Sequence, residues 1–455
     1  MKVKVILKNV EQPVLEYIEP VLLSDATIKE RKEKVLQRMQ QRKLDAIVIY
    51  ADMEHASNFE YLCGFVPRFE EALLVLHLNK SFLLLGNEVL GMAKHSRLLS
   101  KAIHVPQFSL PDQPLEGYRS LSSYLEEAEI TSGMKIGVVG WKKLSYISDR
   151  TFDVPHYIVE ALLQNQTDLV NATDIFIGDN GARTINNVNE IRHYEYGQVL
   201  AANGMLEAMN ALEEGKTERE IASLMEKDGQ RHSVVTVCSF GQRFENANIY
   251  PGVKKAQIGD ELSMTVGYKG GLSSRAGYLV KQADELREEV RDYIDVLAGP
   301  YFSAIAVWLE QIHVGMTGQE LYHQIEQVLP KEKYRWSLNP GHLCADEEWL
   351  CSPVKQDSTV KLENGMLFQI DIIPSLQGYA KASCENGIVL ADNHLRKEIQ
   401  RQDPDMWKRF CERRQYIENV LNIKLNPDVM PLSSSVAYLR PYLLNKNEAF
   451  CISKD

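Results

Sequence analysis

Apolar positions in the first third of the chain fall in short continuous runs between charged stretches. Across residues 27–42 a charged segment carries Val35, Leu36 and Met39 at helical spacing, and Leu44-Asp-Ala-Ile-Val-Ile-Tyr50 follows as a run of the length and β-branched content of one buried strand. Residues 72–78 and 81–85 are apolar runs flanking Asn79 and Lys80, the separation of a two-residue hairpin, although the favoured glycine is missing. Lys135-Ile-Gly-Val-Val-Gly140 reads as a further strand, with helix-like segments up to about Thr167. Mixed strands and helices make this half α/β.

A polar turn, Gly178-Asp-Asn-Gly-Ala182, breaks the pattern and places a domain boundary near 175, dividing the chain into 1–175 and 176–455. Residues 189–212 read as a long helix with Ala202, Leu206, Met209 and Leu212 on one face. Thr217-Glu-Arg-Glu220 has the form of a capping box, in which threonine and glutamate satisfy each other's exposed amides, so a second helix starts there and buries Ile221, Leu224 and Met225. Strands are expected at 234–238, 261–266 and 366–373, with helices between about 283 and 329, giving an α+β second half with largely antiparallel signals. Asp403-Pro404 reads as an N-cap with proline at the first helical position, opening a C-terminal helical extension with Trp407, Phe410, Ile417 and Leu421 on its apolar stripe. No internal repeat stands out by eye.

Composition narrows the class. With 44% hydrophobic and 25% charged residues over 455 positions, the chain is globular and too long for one ordinary core. No apolar run approaches the roughly 18 residues of a membrane span, and the first residues lack a sustained signal-peptide core, so a cytoplasmic protein is expected, with no membrane partner. Seven scattered cysteines without a CxxC pair point to reduced thiols, neither a disulfide framework nor a thiolate zinc site. A formal charge of −11 works against binding a phosphate backbone, so no nucleic acid is expected as a partner.

Alternation along 366–373 puts Phe368, Ile370 and Ile372 on one face and Gln369 with Asp371 on the other, so Asp371 interrupts an apolar strand end. Glu385 stands in Ala382-Ser-Cys-Glu-Asn-Gly-Ile-Val-Leu390, at the entry to a strand that returns beside the first. Two converging carboxylates suit cation binding or acid/base work, because proximity raises one pKa and an added cation ionises both. Carboxylates that merely accept hydrogen bonds in turns, or meet an arginine, read the same way in sequence. His342, in Asn339-Pro-Gly-His-Leu343 ahead of Asp346-Glu-Glu-Trp349, has the chemistry of a base or donor near neutral pH, and equally that of a surface loop residue. There is neither an HExxH pair nor a Walker-type phosphate loop.

The order of Asn189-Glu-Ile-Arg192, Gly215-Lys-Thr-Glu218, Gly259-Asp260, Pro340-Gly-His342, Leu362-Glu-Asn-Gly-Met-Leu-Phe368 and Cys384-Glu385 resembles the creatinase, aminopeptidase P, prolidase and methionine aminopeptidase superfamily. Leu44-Asp-Ala46 and Tyr61-Leu-Cys-Gly-Phe65 resemble the smaller domain of its creatinase and aminopeptidase P branch. The resemblance, over about 30–392, implies an α/β creatinase-like N-terminal domain followed by an α+β pita-bread domain. It also implies a dinuclear metal centre held by two aspartates, a histidine and two glutamates. Counting along the motifs puts Thr265 and Ala276 at the aspartate positions and Trp349 at the histidine, leaving Asp371 and Glu385 as the only carboxylates, so no metal or other cofactor is expected. The substrate-facing histidine survives as His342. The histidine used by metal-free creatinase falls at Asn248 and its glutamate at Tyr278, with His232 and Glu245 as neighbouring candidates.

These residues set three expectations. The first is a metal-independent hydrolase of small C–N substrates (amide, peptide or guanidino) with His342, Asp371 and Glu385 catalytic and Asn248, Thr265, Tyr278 and Trp349 contacting substrate. The second is a non-catalytic binder of a peptide or small amine, and the third a metallo-aminopeptidase whose ligands are displaced from these counts. A homodimer is expected from the resemblance.

Overall fold

The computed structural model describes residues 4–242 and 250–454. It divides into two compact units, Leu23–Thr184 and a second made of Met1–Leu22 with Ile185–Asp455. The described chain opens with β1 (Val5–Asn9), whose partner strand comes at the other end of the sequence.

In the first unit, Ser24 caps α1 (Asp25–Gln41) by accepting the Thr27 amide, and α1 buries Val35 and Met39. Then come β2 (Ala46–Ala51), α2 (Ser57–Cys63), β3 (Ala72–His77), β4 (Ser81–Leu85), β5 (Lys101–His104), α3 (Leu121–Glu127), β6 (Lys135–Val139), α4 (His156–Gln164) and β7 (Asp168–Asn171). They form one six-stranded sheet in the order β5-β4-β3-β2-β6-β7. The β3–β4 hairpin closes through the His77 amide on Lys80 O at 2.9 Å. All of β2 and β3 is buried, as continuous apolar runs require: Ala46, Val48 and Tyr50 pack on one side with Leu125, Ile158 and Leu162 of α3 and α4.

The second unit begins with α5 (Val188–Ala211), closed by a capping box between Asn187 and Glu190, followed by α6 (Glu218–Ala222), capped by Thr217 and Glu220. β8 (Val234–Phe240), β9 (Glu261–Tyr268) and β10 (Gly271–Tyr278) come next, then α7 (Gly299–Gln311), α8 (Gly318–Val328) and α9 (Lys331–Tyr334). β11 (His342–Leu343), β12 (Leu367–Gln369), β13 (Ser383–Glu385), β14 (Gly387–Leu390), α10 (Asn393–Gln402), α11 (Pro404–Asn419), β15 (Val429–Pro431) and β16 (Glu448–Ile452) complete it. Two antiparallel sheets result, β13-β10-β9-β8 and β11-β12-β14-β15, while β16 pairs with β1. That pairing is why the first 22 residues group with the C-terminal part, against the expected 1–175 domain, and the units divide after Thr184 rather than near 175.

α5 lies on β9 and β10. A Cβ on Gly197 would meet Lys269 O at 1.8 Å, so only glycine lets the helix approach the hairpin turn this closely. An internal correspondence escaped the sequence reading: Gly-x-Thr-x-x-Glu occurs at 215–220 and again at 315–320, each time as a positive-φ glycine leading a capping box. Each threonine bridges antiparallel to a later lysine, Thr217 to Lys255 and Thr317 to Lys361. α5–α6 and α7–α8 are thus built on one plan.

The strand expected at 366–373 is shorter than its pattern. Only Leu367–Gln369 pairs as β12, so Asp371 lies just past a strand end. Glu385 closes β13 in one sheet, and after Asn386 the chain enters β14 in the other, the strand that returns beside β12 as expected from the position of Glu385 at its entry. Among the described residues no helix is long and apolar enough to cross a membrane.

Candidate active site

β11 pairs with β12 so that His342 faces Gln369. The Gln369 side chain crosses to the other sheet, donating to Leu272 O at 2.9 Å and accepting the Leu272 amide at 3.4 Å. Beyond β11 the chain makes a short loop closed by the Leu343 amide on Cys351 O and the Leu350 amide on Leu343 O. The loop brings Glu348 and Trp349 back onto His342. The indole of Trp349 stacks on the imidazole with centroids 4.1 Å apart and planes 24° from parallel.

His342 is fully buried. Its Nε2 stands 2.8 Å from Glu348 Oε1 and 3.8 Å from Asp371 Oδ2, while Nδ1 is 3.1 Å from Leu343 O. Glu348 is thus a close ion-pair partner of the imidazole, and Asp371 a second negative charge beyond hydrogen-bond distance. Burial alone disfavours a charged imidazole, but Glu348 and then Asp371 outweigh it and hold the His342 pKa above its ordinary value. Glu348 is the partner that sequence reasoning missed; its only signal was a position in the acidic run before Trp349.

Asp371, 4% exposed, is pushed up to about 6 by burial, with His342 pulling it down and Glu348 raising it further. Its Oδ1 has no hydrogen-bond partner among the described residues. Glu385, 7% exposed, is driven well above the carboxylate range, chiefly by burial and then by the charges of Asp371 and Glu348. The arrangement favours one imidazolium with Glu348 as counter-ion, a carboxyl that titrates near pH 6, and a carboxyl kept neutral. Such a set can accept a proton at one oxygen and donate one at another.

A row of hydroxyls runs from Glu385 across the first sheet. Ser383 Oγ lies 3.0 Å from Glu385 Oε1 and 3.0 Å from Ser274 Oγ, and Thr265 Oγ1 donates to Ser274 Oγ at 3.0 Å. Strand register accounts for it: Ser274 faces Thr265 on β9 and Glu385 on β13. An ungapped count put Ala276 beside Thr265, but Ala276 faces Ser263 and Ser383 instead, so Ser274 is the residue that meets Thr265 and Glu385. The tight β9–β10 turn makes the spacing shorter than the count assumed.

The other candidates are placed as follows. The Tyr278 hydroxyl accepts the Ala380 amide at 2.8 Å and its ring packs edge-on against Tyr293, a core role at the end of β10. His232 contacts Glu226, the Tyr268 hydroxyl and the Thr236 hydroxyl at 3.1, 3.2 and 2.8 Å. Asn248 and Glu245 lie outside the described residues. Trp349 stacks on His342, and Thr265 reaches Glu385 only through the hydroxyls of Ser274 and Ser383.

Two antiparallel sheets with helices on one plan, holding buried carboxyls and a histidine at a sheet junction, are the framework of a pita-bread hydrolase domain. Residues 192–395 match the model of metallopeptidase family M24, and residues 31–176 match the creatinase/prolidase N-terminal domain. The chain belongs to the M24 family, on its creatinase and aminopeptidase P side. Solved structures share the fold. A prolidase from Pyrococcus horikoshii OT3 matches with a TM-score of 0.62 at 17% identity, over 80% of this chain and 95% of its own. An X-Pro aminopeptidase from Thermotoga maritima MSB8 gives 0.60 at 18%, over 79% and 95%, and an Xaa-Pro dipeptidase from Bacillus anthracis 0.61 at 12%, over 81% and 96%. None of the curated proteins matches the chain.

The metal pair that the family implies does not fit these side chains. Thr265 and Ser274 present neutral hydroxyls opposite Glu385, and Trp349 presents an indole face, none of them a ligand for a divalent transition metal. Among the described residues, no group of three or more His, Cys, Asp or Glu is placed to hold a metal ion.

Proposed function

We propose that this M24 protein is a hydrolase of small C–N substrates that acts without a metal ion. His342, as imidazolium, polarises the scissile carbonyl or guanidino carbon. Asp371 accepts the proton of the attacking water, and Glu385, kept protonated, delivers one to the departing nitrogen. Thr265, through Ser274 and Ser383, orients Glu385, and Trp349 holds the imidazole plane. The reading is supported above all by Asp371 Oδ1, a buried carboxyl oxygen with no partner among the described residues, which a water, an ion or a ligand group can complete. An ammonium or guanidinium N–H is its natural complement.

The test is a screen of amides, Xaa-Pro peptides and guanidino compounds in chelator. Turnover lost in both His342→Ala and Glu385→Gln is expected, and turnover unchanged in both removes the assignment. Mass spectrometry after incubation with manganese, cobalt or zinc and desalting tests metal independence: well under one ion per chain is expected, and about two tightly held ions would restore a metallo-aminopeptidase.

A second reading, a non-catalytic binder of a peptide or small amine, is favoured by the fully buried His342 capped by Trp349. Saturable binding with no turnover across the screen would select it. In both readings the protein is a cytoplasmic homodimer, so light scattering should give about twice the 51.8 kDa chain mass.

A further inference from the structure

Away from the acidic cluster, the second unit holds a cavity of about 240 Å³ between the β1–β16 ribbon and the helical segments 294–334. Val5, Leu7 and Phe450 line one side. Ile294, Asp295, Ser303, Val328 and Tyr334 are among the residues lining the rest. That volume corresponds to about eight waters at ~30 Å³ each, the size of a ligand of roughly that many heavy atoms.

Three features mark it as built to receive something. The chain forms a π turn over Ile294–Ala298 directly before α7, and such wide turns concentrate at functional sites because the extra residue re-aims the backbone. The turn depends on glycine: Gly299 donates its amide to Ile294 O, and a Cβ there would lie 2.7 Å from that oxygen. Second, Ser303 is 6% exposed, yet its Oγ has no hydrogen-bond partner among the described residues, where a helical serine ordinarily bonds back to its own helix. Third, Asp295 is exposed on the turn and makes no ion pair among the described residues.

We propose that this cavity binds a small primary amine carrying a compact apolar group, with the ammonium on Asp295, a hydrogen bond to Ser303 and the apolar body against Val5, Leu7, Val328 and Phe450. Apolar walls with a few placed polar groups are the usual makeup of such sites. A cationic head distinguishes the ligand from a neutral one of equal size, because only the cation gains from Asp295. The site is independent of His342, Asp371 and Glu385, and does not rest on the hydrolase reading.

The test uses the full chain with benzylamine as probe and benzyl alcohol as neutral control, followed by calorimetry and ligand-observed NMR. Saturable benzylamine binding is expected, weakened about tenfold or more by Asp295→Asn and abolished by Ser303→Leu, which fills the cavity. Val328→Phe fills it from a half-buried position and should act alike if the α7 variant folds poorly. His342→Ala and Glu385→Gln should bind benzylamine as the parent does. Equal affinity for benzyl alcohol, no saturable binding, or binding that survives both filling variants overturns the proposal. Loss on Glu385→Gln with retention in Val328→Phe would place the amine in the acidic cluster instead, overturning this site while favouring the other.

Discussion

Replacing Asp371 by Asn separates a functional carboxyl from a structural one. Burial raises the Asp371 pKa from its ordinary 3.8 to about 6. Between those values the folded chain holds a proton that the unfolded chain releases, so the contribution of Asp371 is fully present below pH 3.8 and is lost as pH rises through 6. At ~1.4 kcal/mol per pH unit the difference is about 3 kcal/mol, a large share of an ordinary domain's stability. Asparagine imitates the neutral carboxyl in size. Asp371→Asn should therefore match the parent near pH 4 and be more stable by about 3 kcal/mol at pH 7.5, the signature of a site that keeps a costly charge for use. Urea unfolding followed by tryptophan fluorescence reads the relevant unit, since Trp308, Trp336, Trp349 and Trp407 lie in it and Trp141 alone does not. A variant destabilised by a constant amount from pH 4 to 8 would refute the reasoning and make Asp371 a satisfied structural carboxylate.

Two further substitutions test neighbouring charges. Glu348→Gln removes the strongest partner of the His342 imidazolium, so the imidazole should lose its proton at a lower pH, read by NMR of its ring protons and by the pH dependence of Trp349 fluorescence; an unmoved titration would mean that Glu348 is not the counter-ion. Glu195 is the opposite case. Fully buried, it faces Arg409 through Nε at 2.8 Å and Arg413 through Nη1 at 2.8 Å, and despite its burial these arginines hold its pKa below the usual range. Glu195→Gln strands buried guanidinium charge and should cost about 3 kcal/mol or more near pH 7, with the deficit shrinking as pH falls through the carboxylate range, the reverse of Asp371→Asn. A pH-independent deficit in urea unfolding would show that the arginines act through packing alone.

Elements with a local cause were legible in sequence. The capping box at Thr217 and the Asp403-Pro404 start depend on residues within one turn, and each lies where its pattern put it, although 217–220 opens only a short helix, while the box of Asn187 and Glu190 at the start of α5 was not read. The apolar runs at 44–50 and 72–85 are strands because burial on both faces demands continuous hydrophobicity. What depended on pairing across the chain was not legible. Alternation extended the strand at 366–373 past Gln369, because side-chain pattern says nothing of where a ladder ends. Ser274 was hidden behind Ala276, since only strand register shows how tightly β9 turns into β10. Glu348 was equally invisible: its approach to His342 is made by a loop closure between Leu343 and Cys351 that no periodicity records. The first 22 residues escaped for the same reason, their place being fixed by a strand at the far end of the chain.

The hydroxyl row gives the site its logic. A carboxylate at Thr265 or Ser274 would add negative charge beside Glu385 and Asp371, tolerable only with a multivalent cation in place. Neutral hydroxyls remove that charge but leave the fold's remaining acids buried, so protons must do what cations would: Glu385 stays neutral and Asp371 titrates near pH 6. In the proposed reaction, a positively charged substrate group entering beside Asp371 Oδ1 would reverse this balance, drawing Asp371 toward its carboxylate form when a base is needed while His342 remains charged against Glu348. On the proposed metal-independent reading, substitution of ligands by hydroxyls and an indole would do more than delete a metal centre: it would turn a site organised around fixed cations into one whose charge state follows the ligand.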